Sequence, residues 1–169
     1  VALVKALEQD QTTTLNYPAW WISKVQKQYP EHWQQILLTG NQHPPMTLRV
    51  NQSKLTGLAY QQKLQAANIS SQLLDTQTLL LDQAIHVTDL PGFNEGEVSV
   101  QDYAAQMTAR CLDAQANMRV LDACAAPGGK TAHLLELAEI DLTALDVDAE
   151  RLERVKSNLE RLKLMRPKV

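Results

Sequence analysis

The chain has 169 residues, 44% of them hydrophobic, enough for one ordinary domain or two small ones around a buried core. No apolar run approaches the ~20 residues of a membrane span, and Val1 to Asp10 lacks a signal peptide's basic start and long apolar centre. Two cysteines supply neither a disulfide framework nor a structural zinc site, which makes the reducing cytoplasm the expected compartment, and a net charge of −3 excludes a uniformly basic, phosphate-gripping surface.

Residues 1 to 45 read as a helical lead-in. Trp20, Trp21, Ile22 and Val25, then Trp33, Ile36 and Leu37, recur at helix-like spacing, interrupted by Pro30. Tryptophans this close together suit helix–helix packing better than base stacking. Residues 46 to 101 change pattern and read as a small α+β subdomain. Thr47 to Val50 is a predicted strand, Lys54 to Ala67 a helix, and Thr78 to Leu81 and Ala84 to Val87 short strands. Pro91 to Gly96 is turn chemistry, and Glu97 to Val100 is a strand leading into a helix capped by Asp102 and ending near Asp113.

Residues 102 to 169 read as the first half of a doubly wound domain. Strand Met118 to Leu121 runs into Asp122-Ala123-Cys124-Ala125-Ala126-Pro127-Gly128-Gly129-Lys130-Thr131, and a helix follows from about Lys130 to Ala138 with Leu134, Leu135 and Leu137 on its buried side. Two glycines let the backbone pass close to a ligand, and the helix start favours a carboxylate or phosphate there. A P-loop needs glycine where this chain has Cys124, and no G-x-G-x-x-G is present, so both common phosphate motifs fail. A second strand, Asp141 to Leu145, ends in Asp146, where doubly wound folds hold the ribose hydroxyls of an adenosine ligand. Asp148 caps a helix from Ala149 to Leu164, and Lys168-Val169 starts a possible third strand. Leu152, Val155, Leu159 and Leu162 follow helical spacing, so the basic residues of this last helix read as a solvated face rather than an RNA patch.

The run Asp122 to Thr131 with Leu145-Asp146-Val147-Asp148 resembles motif I and the second-strand acid of the RNA cytosine-C5 methyltransferases, which bind S-adenosylmethionine. Upstream strings, among them Tyr29-Pro30-Glu31-His32-Trp33, Asn41 to Asn51 and Leu90-Pro91-Gly92-Phe93, are similar to the Sun/Fmu branch, which methylates small-subunit ribosomal RNA. The resemblance implies an α/β fold: a partial Rossmann-like S-adenosylmethionine methyltransferase domain, preceded by a small helical and α+β subdomain. It implies S-adenosylmethionine as cofactor, held by Cys124, Ala125, Ala126, Pro127, Gly128, Gly129, Lys130 and Asp146, and small-subunit ribosomal RNA as partner. The backbone amides of residues 125 to 129 are the expected ligand donors.

In that family a cysteine thiolate attacks C6 of cytosine from a Thr-Cys-Ser-type motif downstream, with a second cysteine in a Pro-Cys-type motif. Neither motif occurs here, so no catalytic residue is expected in this chain, which reads as an internal piece of a longer enzyme, inactive alone. Cys111 falls in a helix, and Cys124 belongs to the turn that the cofactor must occupy. Asp122 either contacts the methionine end of the cofactor or caps the turn, Lys130 pairs with an anion or is solvated, Arg151 reads as a helix-surface arginine rather than one approaching the adenosine from the helix start, and His133 is a packed or surface histidine rather than a general base. His32, His43 and His86 carry no metal-ligand spacing, and no metal is expected. The competing reading is a non-catalytic RNA- or assembly-binding module that keeps a methyltransferase-like half-fold.

Overall fold

The computed structural model of the chain describes residues 15–164. Residues 1–14 of the expected helical lead-in and the strand start at Lys168-Val169 lie outside them. The chain forms two compact units, divided between Pro44 and Pro45.

In the first unit, helices α1 (Ala19–Gln28) and α2 (Trp33–Gly40) close over Leu15, Ile22, Val25 and Leu37, with Tyr17 and Trp33 partly buried beside them. Asn41 Nδ2 donates to the Leu15 carbonyl at 2.6 Å and ties the end of α2 to the start of the unit. The packing expected of all three tryptophans holds for Trp33 alone. Trp20 is 66% exposed and Trp21 37%, their rings meeting edge to face at 5.6 Å. Helical spacing puts Ile22 and Val25 inward, which turns the two preceding tryptophans out.

The second unit opens with strand β1 (Thr47–Val50), helix α3 (Gly57–Ala66), strands β2 (Ser71–Leu73) and β3 (Thr78–Leu81), and strand β4 (Val98–Val100). The four strands form one antiparallel sheet in the order β2-β3-β1-β4. Helix α3 starts three residues later than expected, because Asn51 Oδ1 accepts from Ser53 N and Oγ and holds the preceding residues in a turn, leaving Thr56 as the cap. The strand expected at Ala84 to Val87 does not form. Both sides of β3 are taken, by β2 and β1, so the chain leaves the sheet and makes a short 3-10 turn at Val87–Asp89 instead. Strand β2, absent from the sequence reading, is a short, half-polar edge strand set by the tight Asp75 turn, whose Oδ1 accepts from Gln77 N and Thr78 N.

One face of this sheet is apolar: Leu48, Val50, Leu79, Leu81 and Val98 pack with Tyr60 and Leu64 of α3 and with Leu90. The other face is buried but polar. Register places Arg49 between Thr78 and Ser99, and helices α4 (Tyr103–Leu112) and α5 (Gly129–Leu137) meet it with side-chain hydrogen bonds. Thr78 Oγ1 donates to Gln106 Oε1 at 2.7 Å, Gln106 Nε2 and Thr47 Oγ1 both donate to the Gln101 carbonyl, and Gln77 Nε2 lies 3.1 Å from His133 Nε2. Asp102 caps α4 by accepting from Ala104 N and Ala105 N, as its sequence position predicted.

Strands β5 (Arg119–Asp122) and β6 (Asp141–Ala144) pair in parallel, Arg119 opposite Asp141 through Asp122 opposite Ala144. Their inner face, with Leu142 and Ala144, packs under α4, α5 and α6 (Ala149–Leu162) around Ala132, Leu134, Val155, Leu159 and Leu162. This is a βαβα segment of Rossmann-like type, preceded by the α+β segment. Leu121 and Val147 are exposed at the strand ends. Two details of α5 and α6 differ from expectation. Leu137 is exposed and Leu135 only half-buried, while Thr131, Ala132, His133 and Leu134 form the buried side of α5. Arg161 is not part of a solvated face: its guanidinium lies 4.1 Å over the Phe93 ring and donates to the carbonyls of Phe93 and Val98, to Ser99 Oγ and to Asn158 Oδ1. It thereby caps the free edge of β4, which sequence spacing alone does not reveal. Among the described residues no helix is long and apolar enough to cross a membrane.

Candidate functional site

The turn between β5 and α5 is built by backbone bonds to the neighbouring strand end. Leu145 N donates to the Asp122 carbonyl at 2.8 Å and Ala125 N to the Leu145 carbonyl at 2.9 Å, which carries the parallel pairing past the two strands. The Ala126-Pro127 peptide is cis, and Gly128 N closes the turn on the Ala125 carbonyl at 2.6 Å. Gly128 then opens α5 at φ +98°, a left-handed conformation, where an added Cβ would come within 3.1 Å of Val155 Cα. Both the angle and the close approach to α6 demand glycine. Thr131 Oγ1 donates to Asp122 Oδ2 at 2.7 Å, which ties the first turn of α5 to the end of β5.

Asp146 is the hinge pin of the site. Its Oδ2 accepts from Ala126 N at 3.1 Å, and its Oδ1 accepts from Asp148 N and from Arg151 Nη1, while Arg151 Nη2 donates to the Ala126 carbonyl. Partial desolvation pushes this carboxyl up, but the Ala126 and Asp148 amides and the Arg151 charge outweigh it and hold it below the usual carboxylate range. At neutral pH it is an anion; Oδ1 takes two of these donors and Oδ2 one, and the side chain is 4% exposed. Asp148 caps α6, accepting from Glu150 N and Arg151 N.

The donors left for a ligand are fewer than the sequence suggested. The amides of Ala125, Ala126 and Gly128 are spent on Leu145, Asp146 and Ala125, and Pro127 has none. What remains is the start of α5 itself, Gly129 to Thr131, which has no side-chain cap and carries the positive end of the helix dipole. Lys130 is exposed beside it, and Cys124 is exposed in the turn. A cleft of about 670 Å³ opens next to Pro127 and Gly129, walled by Phe93, Val100, Glu150 and Arg154. Cys111 lies exposed on α4, outside this junction. Among the described residues no three His, Cys, Asp or Glu side chains gather as metal ligands.

Two family models match the chain: the ferredoxin-like domain of RsmF/B-like methyltransferases over residues 17–88, and the 16S rRNA methyltransferase RsmB/F family over residues 109–169. The chain is 44% identical over 152 residues to the probable ribosomal RNA small subunit methyltransferase B of Coxiella burnetii, and 43% identical over 166 residues to ribosomal RNA small subunit methyltransferase B of Yersinia enterocolitica. The chain belongs to the RsmB/F family. These alignments take in 88% and 95% of the chain but only 35% and 39% of the two relatives' lengths. The fold is shared with a methyltransferase homolog protein from Pyrococcus horikoshii (24% identity, TM-score 0.80, 92% of this chain and 53% of that one). It is shared as well with NSun6 from the same organism, solved with SFG (14% identity, TM-score 0.80, 89% and 64%).

Within this RsmB/F fold the structure brings Cys124 to Lys130 and Asp146 to one junction, as described above. It also shows residues that the sequence reading passed over. Arg49 of β1, 1% exposed, forks onto Glu136 (Nε to Oε2 3.0 Å, Nη2 to Oε1 2.8 Å), and its Nη1 donates to the Gly129 carbonyl at 2.9 Å and to Gln101 Oε1. The available signal was a charged residue in the middle of a strand otherwise made of Thr47, Leu48 and Val50. His133 is fully buried in α5, where burial first, and then the Arg49 and Arg110 charges, push it down to about 3. It is a packed, neutral histidine, and its Nδ1 has no hydrogen-bond partner.

Proposed function

We infer that this chain forms the cofactor-holding part of an S-adenosylmethionine-dependent methyltransferase that acts on C5 of a cytosine in small-subunit ribosomal RNA. The observation that carries the reading is the junction itself: an uncapped helix start, opened by Gly128 at φ +98°, stands beside an ionised acid at the end of the adjacent strand. The fit to S-adenosylmethionine is chemical. The amides of Gly129 to Thr131 and the helix dipole suit the ligand's carboxylate, the absence of a side chain at Gly129 leaves the backbone approachable, and Asp146 is an acceptor for vicinal ribose hydroxyls. Lys130 adds a positive charge at the same helix start. The cofactor supplies a sulfonium methyl group; these residues bind and orient its donor. Family membership and relatives named ribosomal RNA small subunit methyltransferase B support the RNA substrate.

Neither cysteine of the chain is assigned the attack on C6. Cys124 belongs to the turn assigned to the methyl donor, and Cys111 lies on α4 away from that turn. Calorimetric titration with S-adenosylhomocysteine should give saturable binding to the folded chain. No heat and no thermal shift at millimolar ligand would remove the cofactor reading and leave the non-catalytic module. Ribosomal RNA carrying 5-fluorocytosine, with S-adenosylmethionine, should form no covalent adduct with this chain; an adduct abolished by Cys124→Ser would make that thiol the nucleophile.

A further inference from the structure

Arg49 lies in the antiparallel sheet, far along the chain from the cofactor turn, yet its guanidinium grips the helix that the turn opens. One edge of the fork binds Glu136 through two nitrogens, and Nη1 reaches the Gly129 carbonyl and Gln101 Oε1. Gly129 and Glu136 are seven residues apart, about two helical turns. A single rigid, planar group thus holds α5 at its first residue and again two turns on, which fixes both its rotation and its axial position against β1. The side chains of Arg49 and Glu136 are 0% and 3% exposed. A buried ion pair is a poor device for stability alone, since its desolvation cost consumes most of the attraction and well-packed apolar residues often serve as well. What an apolar pair lacks is direction.

We propose that Arg49 is a positioning residue for the cofactor site: held by Glu136 and Gln101, it sets the placement of Gly129 and hence of the free amides at the start of α5 on which cofactor affinity depends. The inference rests on the cofactor reading above. It assigns a task to the sheet that precedes the methyltransferase half, because the buried polar face of that sheet, with Thr78 and Ser99 flanking Arg49, is shaped around this guanidinium. Gln101 lies beside the same point, its Nε2 3.8 Å from where a Gly129 Cβ would stand.

The test separates binding from folding. In the double variant Arg49→Met/Glu136→Leu the buried charges go together, so no uncompensated ion remains and the melting temperature should stay close to that of the parent. Affinity for S-adenosylhomocysteine should nevertheless fall about ten- to a hundredfold, as when an outer partner that orients a ligand-binding group is lost. Amide exchange at Ala132, whose N–H donates to the Gly128 carbonyl at the opening of α5, should quicken while that of Leu79 in the sheet is unchanged. Arg49→Lys keeps the charge and the fold but cannot fork, and should show the same loss of affinity; it carries the test if the double variant does not fold. A folded variant of either kind that binds as tightly as the parent overturns the inference and leaves the cofactor reading standing. A parent chain that does not bind S-adenosylhomocysteine overturns both.

Discussion

His133 shows how one side chain on the inner side of α5 writes a pH dependence into the molecule. Its folded form is held neutral down to about pH 3, against an ordinary value of 6.5. Between those values the unfolded chain binds a proton at this position that the folded chain does not. Stability from this group is therefore complete above pH 6.5 and is lost as the pH falls toward 3, with a slope of up to about 1.4 kcal/mol per pH unit. The exposed histidines at 32, 43 and 86 contribute no such buried site. Urea unfolding of the parent and of His133→Gln at pH 7 and pH 5 checks this: the parent should lose more stability than the variant over that interval. Equal losses would mean that the ring is protonated, or accessible, in the folded state.

Helix α6 and the strand end that feeds it divide two neighbouring carboxylates between two tasks. Asp148 only caps the helix, so Asp148→Ala should cost about 1 kcal/mol of stability and leave ligand affinity unchanged. Asp146 braces the turn through Ala126 N and is the residue assigned above to the ribose hydroxyls, so Asp146→Asn should weaken S-adenosylhomocysteine binding by about tenfold or more. Denaturation and calorimetry on both variants decide the matter, and effects in the opposite order would exchange the two roles. The caps at Asp102 and Asp148, the strand–turn–helix at 119 to 137 and the parallel partner strand were legible in the sequence because their signals are local: a capping side chain, a glycine pair, a short apolar run. The bond between Arg49 and Glu136 spans 87 positions, and no local pattern announces it. The same limit applies to the tryptophans. Spacing tells which residues share the face of α1, but whether a face has a partner is a tertiary fact, and Trp20 and Trp21 have none among the buried residues of their unit.

At the scale of the whole molecule, the buried polar face of the four-stranded sheet decides how the second unit behaves. A sheet that shared only a flexible linker with the methyltransferase half would show its second face to solvent; here Thr47, Arg49, Thr78, Gln101 and Gln106 are buried, and Thr78 and Gln101 bond to Gln106 of α4 and Arg49 to Glu136 of α5. Leaving any of these groups unpaired is costly, so opening one half strands polar groups in the other and the two should unfold as one cooperative body. Two core substitutions probe this from opposite ends: Leu48→Ala in the core beneath α3, and Leu142→Ala in the core beneath α4, α5 and α6. Each removes a buried leucine and should cost about 2–5 kcal/mol. All three tryptophans lie in the first unit, so their fluorescence follows that unit, and amide exchange is the measurement for residues 45 to 164. With either substitution, the slowest amides of β1 and β3 and those of β5 and β6 should lose protection by the same free energy. If Leu142→Ala strips protection from β5 and β6 while Leu79 and Leu81 keep theirs, the unit is two independently stable domains, and the boundary near residue 101 that composition suggests is the one along which the molecule comes apart.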